Sequence, residues 1–416
     1  MPTPALSEQP TDTGTTAADR PARVVVVLLG GLVALGPLTT DLYLPSLPTL
    51  TRELGSTAPA VQLTLTSSLI GLALGQLFFG PLSDRLGRRL PLVLGMTVYT
   101  LATVLCALAP SVPVLVAGRA LQGAAGASGL VIGRAIARDR YEGPAMIRFL
   151  ATLGVVSGLA PIFAPLIGAQ LLRFTSWRGT FATLAVLGGL LTLGALLRLP
   201  ESLPAERRHS DGVGSTVRAI GGLLRDRIFL GYVLTSTFAF GALFAYVGGS
   251  SVVLQTVYQI SPQTFSLLFA TNSVAVVGFT QLNGRVLVQR LDSAVLMRIG
   301  LGCAVAAGTA LVLCTAVWDT GLAGVWPALF LLMASMGIVL PNSAGQALTM
   351  APHAAGSASA LIGLGTYLCG AVVAPLSSAG GTPSAVLLGA VVLSCAALAT
   401  LSFVTLCRPT AEAQGR

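Results

Sequence analysis

The sequence predicts an all-α integral membrane protein, with twelve transmembrane helices in two pseudo-symmetric six-helix bundles. Composition is the first reason. Of 416 residues, 54% are apolar and 9% are charged, where a soluble domain carries about a quarter charged residues. The second is a mean hydropathy of +0.82, the reverse of the low hydropathy and dense charge that keep a chain disordered. The third is spacing. A membrane-crossing helix needs about 20 apolar residues, and the chain divides into stretches of that order joined by short polar loops.

Taken in order, the apolar stretches are 24–46, 61–81, 90–109, 112–134, 145–171, 177–197, 228–250, 263–283, 294–317, 323–349, 355–379 and 383–406. Residues 1–22, ahead of them, are rich in Pro, Thr and Ala and hold no apolar core. They read as a disordered cytoplasmic tail, not as a cleavable signal peptide. One long polar stretch, 198–227, with Glu201, Pro204, Arg207, Arg208 and Asp211, reads as a cytoplasmic linker. It separates an N-terminal bundle at 23–197 from a C-terminal bundle at 228–407, and a cytoplasmic tail follows at 408–416. Six spans on either side of one linker indicate duplicated halves.

All 24 basic residues are arginine, which together with abundant Ala, Gly and Leu points to a GC-rich bacterial genome. The formal charge of +9 does not indicate nucleic-acid binding, because the arginines sit between apolar runs and form no basic face. With the N-terminus inside, twenty arginines fall on the cytoplasmic side and only Arg52, Arg173 and Arg178 outside. That bias satisfies the positive-inside rule for a plasma-membrane protein with both termini cytoplasmic. The six cysteines are scattered singly, with no CxxC or His–Cys cluster, so neither a metal site nor a disulfide framework is expected. His209 and His353 fall in cytoplasmic segments away from acids and read as solvated. Without lysine there is no phosphate-binding loop for ATP, and a membrane-embedded enzyme would need paired acids, clustered His or a Ser–Lys dyad that the spans lack.

Two charges remain inside the spans away from their ends: Asp41, the only acid within a span, and Arg119. A charge at the bilayer centre costs at least about 2.5–3.5 kcal/mol on insertion scales, so a lipid-facing one is selected against. Asp41 lies five residues before Ser46 and Arg119 seven after Val112. At 1.5 Å per residue both sit roughly 8–10 Å below the outer surface. They either lock two helices as a static pair or face one cavity, where Asp41 takes up and releases a proton during transport.

The loop after the second stretch reads Gly80-Pro-Leu-Ser-Asp84-Arg85-Leu-Gly87-Arg88-Arg89. Gly80 and Gly87 permit a tight turn, and Asp84 can cap a helix or pair with arginines. This loop resembles the Gly-x-Leu-x-Asp-Arg-x-Gly-Arg-Arg loop between helices 2 and 3 of the major facilitator superfamily. A degraded echo, Asn283-Gly284-Arg285 with Arg290 and Asp292, stands at the corresponding place in the second half. Arg119-Ala-Leu-Gln122-Gly123-Ala-Ala-Gly126 is similar to the Arg-x-x-Gln-Gly motif of that superfamily's drug exporters. Gly154-x3-Gly158 followed by Ala160-Pro161-Ile-Phe-Ala164-Pro165-Leu-Ile-Gly168 resembles the antiporter motif, with Ala160-Pro161 where Gly-Pro is usual. Thr40-Asp41-Leu-Tyr43-Leu-Pro45-Ser-Leu-Pro48, with Pro341-Asn342 and Gly356–Gly363, is similar to the bicyclomycin-resistance (Bcr/CflA) branch. The resemblance covers 24–406.

That resemblance implies the major facilitator fold and a proton-driven drug exporter whose halves rock about a central site. Asp41 would be the proton-linked acid and Arg119 its buried partner. Asp84, in the Gly80–Arg89 loop, would form a cytoplasmic latch with Arg134, Arg138 and Arg140. A second acid found earlier in the first span of one related type is missing from Gly30–Ala34, so two-proton coupling and divalent-cation export are not implied. No cofactor is implied beyond the proton gradient. The partners are a small-molecule drug, protons and the lipid bilayer, with no nucleic acid, and the expected state is a monomer. A carrier or symporter for a small metabolite is the alternative, against which the Gly/Pro motif of the fifth span argues.

A cavity for drug-sized ligands is mostly apolar with a few polar points, and the candidates for its lining are Tyr43, Gln122, Phe240, Phe244, Tyr246, Asn272, Asn342 and Tyr367. Gln122 and Asn272 stand out because an amide facing lipid is unfavourable. With no further buried charge, the expected cargo is neutral or weakly charged, of the chloramphenicol or bicyclomycin kind. Pro161 and Pro165 remove backbone donors and should bend the fifth span, and Pro341 the tenth. Close helix contacts are expected at Gly71, Gly75, Gly126, Gly129, Gly154, Gly158, Gly363 and Gly365.

Overall fold

The computed structural model describes residues 23–141, 143–208, 221–380 and 382–407. The N-terminal tail, His209 with the middle of the linker, the C-terminal tail and the side chain of His353 lie outside the described residues. Twelve helical segments among the described residues are long and apolar enough to cross a membrane.

The first crossing, Val24–Glu53, is assembled from three pieces. Helix α1 (Arg23–Asp41) ends at the acid, a 3-10 turn covers Leu44–Ser46, and α2 (Leu47–Glu53) completes the span. The sequence reading ended this span at residue 46 and placed Asp41 five residues from its edge; the correction puts Asp41 twelve residues before Glu53, deep in the crossing. Pro45 and Pro48 explain it. Each lies in the first turn of a new helical piece, where its missing N–H costs nothing, whereas inside one continuous helix it would remove a hydrogen bond and clash with the preceding turn.

The N-terminal half continues with α3 (Ala58–Leu86), α4 (Arg89–Leu108), α5 (Val112–Arg140), α6 (Gly143–Leu171) and α7 (Trp177–Arg198). The C-terminal half contains α8 (Arg227–Thr256), α9 (Pro262–Arg285), α10 (Ser293–Val312), α11 (Leu322–Thr349), α12 (Ala355–Val373) and α13 (Ala385–Leu406). Helix starts are chemically marked. Asp226 accepts from the N–H groups of Ile228 and Phe229 at 2.9 and 3.1 Å, and Ser261 accepts from that of Thr264 at 3.1 Å. Such side chains satisfy N–H groups that the helix itself leaves unpaired.

Large apolar side chains lie on both sides of the helices: Phe78, Leu94, Leu101, Leu190 and Val372 face outward, while Trp177, Phe181, Phe229 and Phe265 fill the interior, and glycines let the backbones approach. A Cβ on Gly71 or Gly75 of α3 would fall on the backbone carbonyls of Ala120 or Ala124 of α5, and one on Gly123 would fall on that of Ser68. Backbones this close are how helices associate where lipid offers no hydrophobic drive.

The halves meet along a seam formed by α3 with α12 and by α6 with α9. From mid-depth to the end away from the arginine-bearing loops it is closed by hydrogen bonds. Gln62 Nε2 donates to Gly248 O at 3.0 Å and to Ser377 Oγ at 3.3 Å. Thr66 Oγ1 donates to Ala371 O at 2.6 Å, and Ser251 Oγ to Leu44 O. Gln263 Nε2 donates to Ala169 O at 3.1 Å, and Ser273 Oγ to Pro161 O at 3.3 Å.

Candidate functional site

The helix break after Asp41 lies on this seam, because the turn Leu44–Ser46 packs against α6, α8 and α9. Asp41 is 6% exposed. The Thr40 hydroxyl approaches its carboxyl, and the charge of Arg119 is within electrostatic range. No ion pair joins the two. Among the described residues the ion pairs are Arg88–Asp84, Arg88–Asp139 and Arg178–Glu53. Arg119 is fully buried and spends its donors elsewhere. Its Nη1 donates to Thr39 O at 3.0 Å and to Gln122 Oε1 at 2.6 Å, and its guanidinium lies 4.6 Å from the centre of the Tyr43 ring. Nη2 has no acceptor. A buried guanidinium held this way keeps capacity for one more anion, and the nearest carboxyl is Asp41.

Three residues expected in the cavity lining have other engagements. Tyr43 is fully buried in the N-terminal half, its hydroxyl 3.0 Å from that of Thr64 and its ring 5.3 Å from that of Phe181. Gln122 holds Arg119 with its oxygen and donates to Thr103 Oγ1 at 2.8 Å with its nitrogen. Asn342 donates to Asn283 Oδ1 at 2.9 Å and accepts from Ser293 Oγ at 3.4 Å, near the arginine-bearing ends of α9, α10 and α11. All three avoid lipid, as expected, but they do so by facing protein.

The remaining five gather on the C-terminal half. Phe240 and Phe244 stack at 4.7 Å, and Phe240 meets Tyr367 edge-on at 5.6 Å. Tyr367 is in hydrogen-bonding reach of Gln76 on α3 and in electrostatic range of Arg134 on α5, both across the seam. Asn272 Nδ2 donates to the Tyr246 hydroxyl at 3.0 Å, and the Tyr246 ring stacks on Phe269 at 5.3 Å. Tyr246 is also within electrostatic range of Asp41.

At the arginine-bearing end the expected pairing changes partners. Asp84 meets Arg88 at 2.5 Å, not the arginines of α5. Arg88 also donates to Asp139 Oδ2 at 3.0 Å and to Ser83 Oγ at 2.8 Å, tying α3 and α4 to the end of α5. Arg134 and Arg138 are exposed, as is Arg85. Gly87 takes φ +92°, the left-handed turn its position requires, while Gly80 has ordinary clearance from Val131.

Glu201, just past α7, is named from the sequence only as part of the polar linker, with no role of its own. Its carboxylate accepts from the backbone N–H groups of Arg88 (2.7 Å), Arg89 (3.2 Å), Ser202 (3.0 Å) and Leu203 (3.0 Å). Burial opposes its ionisation, but these donors outweigh it and hold the carboxyl below its ordinary value of 4.5. Ser202 Oγ adds a bond to Asp139 at 2.9 Å, so the start of the linker is fastened to the loop. Gln62 was missed as well, although an amide inside an apolar stretch is the signal that pointed to Gln122 and Asn272.

In the antiporter motif, Gly154 faces open space and Gly158 meets Val277 at 3.5 Å. Gly168 presses α6 directly onto the Leu42 carbonyl, one residue after Asp41. Pro161 supplies the carbonyl that accepts from Ser273, and Pro165 lies in the same helix.

Two helical bundles meeting along a seam, with a buried acid and a buried arginine beside it, define a membrane transporter. Residues 29–375 match the Major Facilitator Superfamily, and the chain belongs to that superfamily. It is 41% identical over 378 residues to the uncharacterized MFS-type transporter YdgK of Bacillus subtilis, covering 90% of this chain and 93% of that one. It is 31% identical over 356 residues to the bicyclomycin resistance protein homolog of Haemophilus influenzae, covering 85% and 88%. Its fold is similar to that of the nucleoside transporter NupG, with a TM-score of 0.73 at 13% identity over 92% of this chain and 100% of that one. The chain is thus a multi-pass membrane transporter on the bicyclomycin-resistance branch.

Proposed function

We propose that the protein exports drug-sized, mostly neutral antibiotics of the chloramphenicol or bicyclomycin kind across the plasma membrane in exchange for protons, conferring resistance. It works as a monomer with both termini cytoplasmic, by alternating access, and uses no cofactor beyond the proton gradient. The observation that carries this reading is Asp41. It is the one buried acid among the described residues, it sits at a helix break on the seam, and it is free of an ion pair although Arg119 lies close by.

Protonated, Asp41 leaves Arg119 with the carbonyl of Thr39 and the amide of Gln122. Ionised, it attracts the unfilled Nη2, which pulls on α1 at its break and on α5. Because α6 rests on Leu42 and α9 rests on α6, that movement reaches the seam. Cargo occupies the aromatic region of Phe240, Phe244, Tyr246 and Tyr367 when the arginine-bearing, cytoplasmic end is open. The clamp of Asp84, Arg88, Asp139 and Glu201 keeps α3, α4 and α5 moving as one body.

Asp41→Asn tests the reading. In proteoliposomes with an imposed pH gradient the variant binds drug but does not accumulate it, while folded protein is recovered in normal yield. Normal accumulation against a gradient by Asp41→Asn would remove Asp41 from the coupling step.

A further inference from the structure

The polar groups of the C-terminal half at the depth of Asp41 are uneven in what they offer a ligand. Asn272 is 1% exposed, and its Nδ2 is committed to the Tyr246 hydroxyl. Its Oδ1 has no partner. An acceptor shut away from water without a hydrogen bond is destabilising, and one kept in a folded protein calls for a water, a ligand or a function.

An amide can turn end for end, so what matters is which end is free. The Tyr246 ring is fixed by its stacking on Phe269, so its oxygen cannot swing to follow the amide. That oxygen accepts a hydrogen bond from Nδ2, which leaves the phenol's own O–H to point away from the amide. With the phenol proton turned that way, the amide keeps Nδ2 on Tyr246 and presents Oδ1. Phe269 stacks under the Tyr246 ring, and Phe244 and Phe240, two and six residues earlier on α8, form a second aromatic group with Tyr367.

We propose that Asn272 Oδ1 reads a hydrogen-bond donor on the cargo, with Tyr246 as the positioning residue that sets which end of the amide faces it. The inference rests on the drug-export reading and narrows it. The cargo is a neutral molecule with a flat apolar body that carries an O–H or N–H group, and a molecule of the same shape offering only acceptors is disfavoured. A site built to bond a hydroxyl discriminates against the analogue lacking it far better than an apolar pocket discriminates by size.

The test uses the purified full chain in nanodiscs and two probes, chloramphenicol and the ether methylated at both oxygens and at the amide nitrogen, which keeps the body and removes both O–H donors and the N–H donor. Calorimetry on the wild type is expected to give roughly tenfold tighter binding of the parent, the scale of one neutral hydrogen bond. Asn272→Leu brings the ratio close to one by weakening the parent. Tyr246→Phe brings it close to one from the other side, because the released amide can turn Nδ2 toward the ether and strengthen its binding. A merely structural role for Tyr246 would weaken both probes alike. The second variant also covers the case in which Asn272→Leu fails to fold. Equal binding of the two probes by the wild type, or an unchanged ratio in Asn272→Leu, overturns the inference and leaves a buried water at Oδ1. Failure of the wild type to bind either probe overturns the export reading beneath it, a different result from equal binding of both.

Discussion

One added carbon at three glycines of α6 should give three different results. A Cβ on Gly154 meets nothing within 4 Å, and one on Gly158 meets the Val277 methyls at 3.5 Å, an ordinary contact. On Gly168 it falls onto the Leu42 carbonyl, 2.9 Å from its carbon and 3.5 Å from the Leu42 Cα. Those are backbone atoms that cannot rotate away, and the carbonyl oxygen stands closest of all to the added carbon, so α6 or the break in α1 must move by about 1.5 Å to restore contacts of about 3.5–4.0 Å. Overpacking of this kind costs about 1–3 kcal/mol. Replacing a mid-helix glycine by alanine returns about 0.5–1 kcal/mol in backbone entropy. The balance for Gly168→Ala is a loss of about 1–2 kcal/mol, while Gly154→Ala and Gly158→Ala come out neutral or slightly stabilised. The strain at Gly168 lands on Leu42 and therefore on Asp41. Since about 1.4 kcal/mol is a factor of ten in rate, transport driven by a pH gradient should fall about tenfold in Gly168→Ala and stay at wild-type rates in the other two. Proteoliposome flux and melting temperature of the purified variants measure both quantities. Equal flux in Gly168→Ala and Gly158→Ala would show that the contact with Leu42 does not position the acid.

Other substitutions separate the remaining parts. Arg119→Ala removes charged hydrogen bonds to Thr39 and Gln122, each worth about 1.5–3 kcal/mol; it should lower the melting temperature and shift the pH profile of transport, and an unshifted profile would make Arg119 a structural tie only. Glu201→Gln probes the linker clamp. Because folding holds the Glu201 carboxyl below its ordinary value of 4.5, its stabilisation is present above that value and is lost as the pH falls through the lower folded value. Wild type should therefore melt lower in acid than at neutral pH, whereas Glu201→Gln should melt lower than wild type at pH 7 and lose part of that acid dependence; parallel pH–melting curves would refute the clamp. Asn342→Ala leaves the Asn283 oxygen unpaired, which costs about 1–3 kcal/mol. It should melt lower with an unchanged antibiotic profile, and an altered profile would return Asn342 to the cavity.

Hydropathy located all twelve crossings because length and apolarity are what a bilayer demands. It could not see the break after Asp41, since Leu42, Tyr43 and Leu44 are as apolar as helix. Pro45 and Pro48 carried that information in their backbones. The rarity of charge inside spans made Asp41 and Arg119 legible, and the bond from Arg119 to the Thr39 carbonyl brings their two helices together beside the acid. The lining residues were harder. An amide escapes lipid equally well by facing a cavity or a neighbouring helix, and the sequence holds no sign that Gln122 and Asn342 take the second route while Asn272 keeps a free acceptor. Glu201 was hidden for a related reason. Its partners are backbone N–H groups created by the fold of the Gly87 turn, and no residue type announces them.

The same corner of each half is fastened by different chemistry. At the joint of α3, α4 and α5 the fastening is ionic, through Asp84, Arg88 and Asp139; at the joint of α9, α10 and α11 it is neutral, through Asn283, Asn342 and Ser293. Mobile ions weaken attraction between partly exposed charges over a distance of about 8 Å at physiological ionic strength, and they leave an amide pair untouched. The Asp84 side chain is 52% exposed, so that arm of the first joint feels the salt of the surrounding solution more than the less exposed Arg88–Asp139 arm does, while Asn342, 8% exposed, does not. Two bundles of common architecture are thus mechanically unequal: one is stiffened or loosened by its ionic surroundings, and the other gives it a fixed frame to move against.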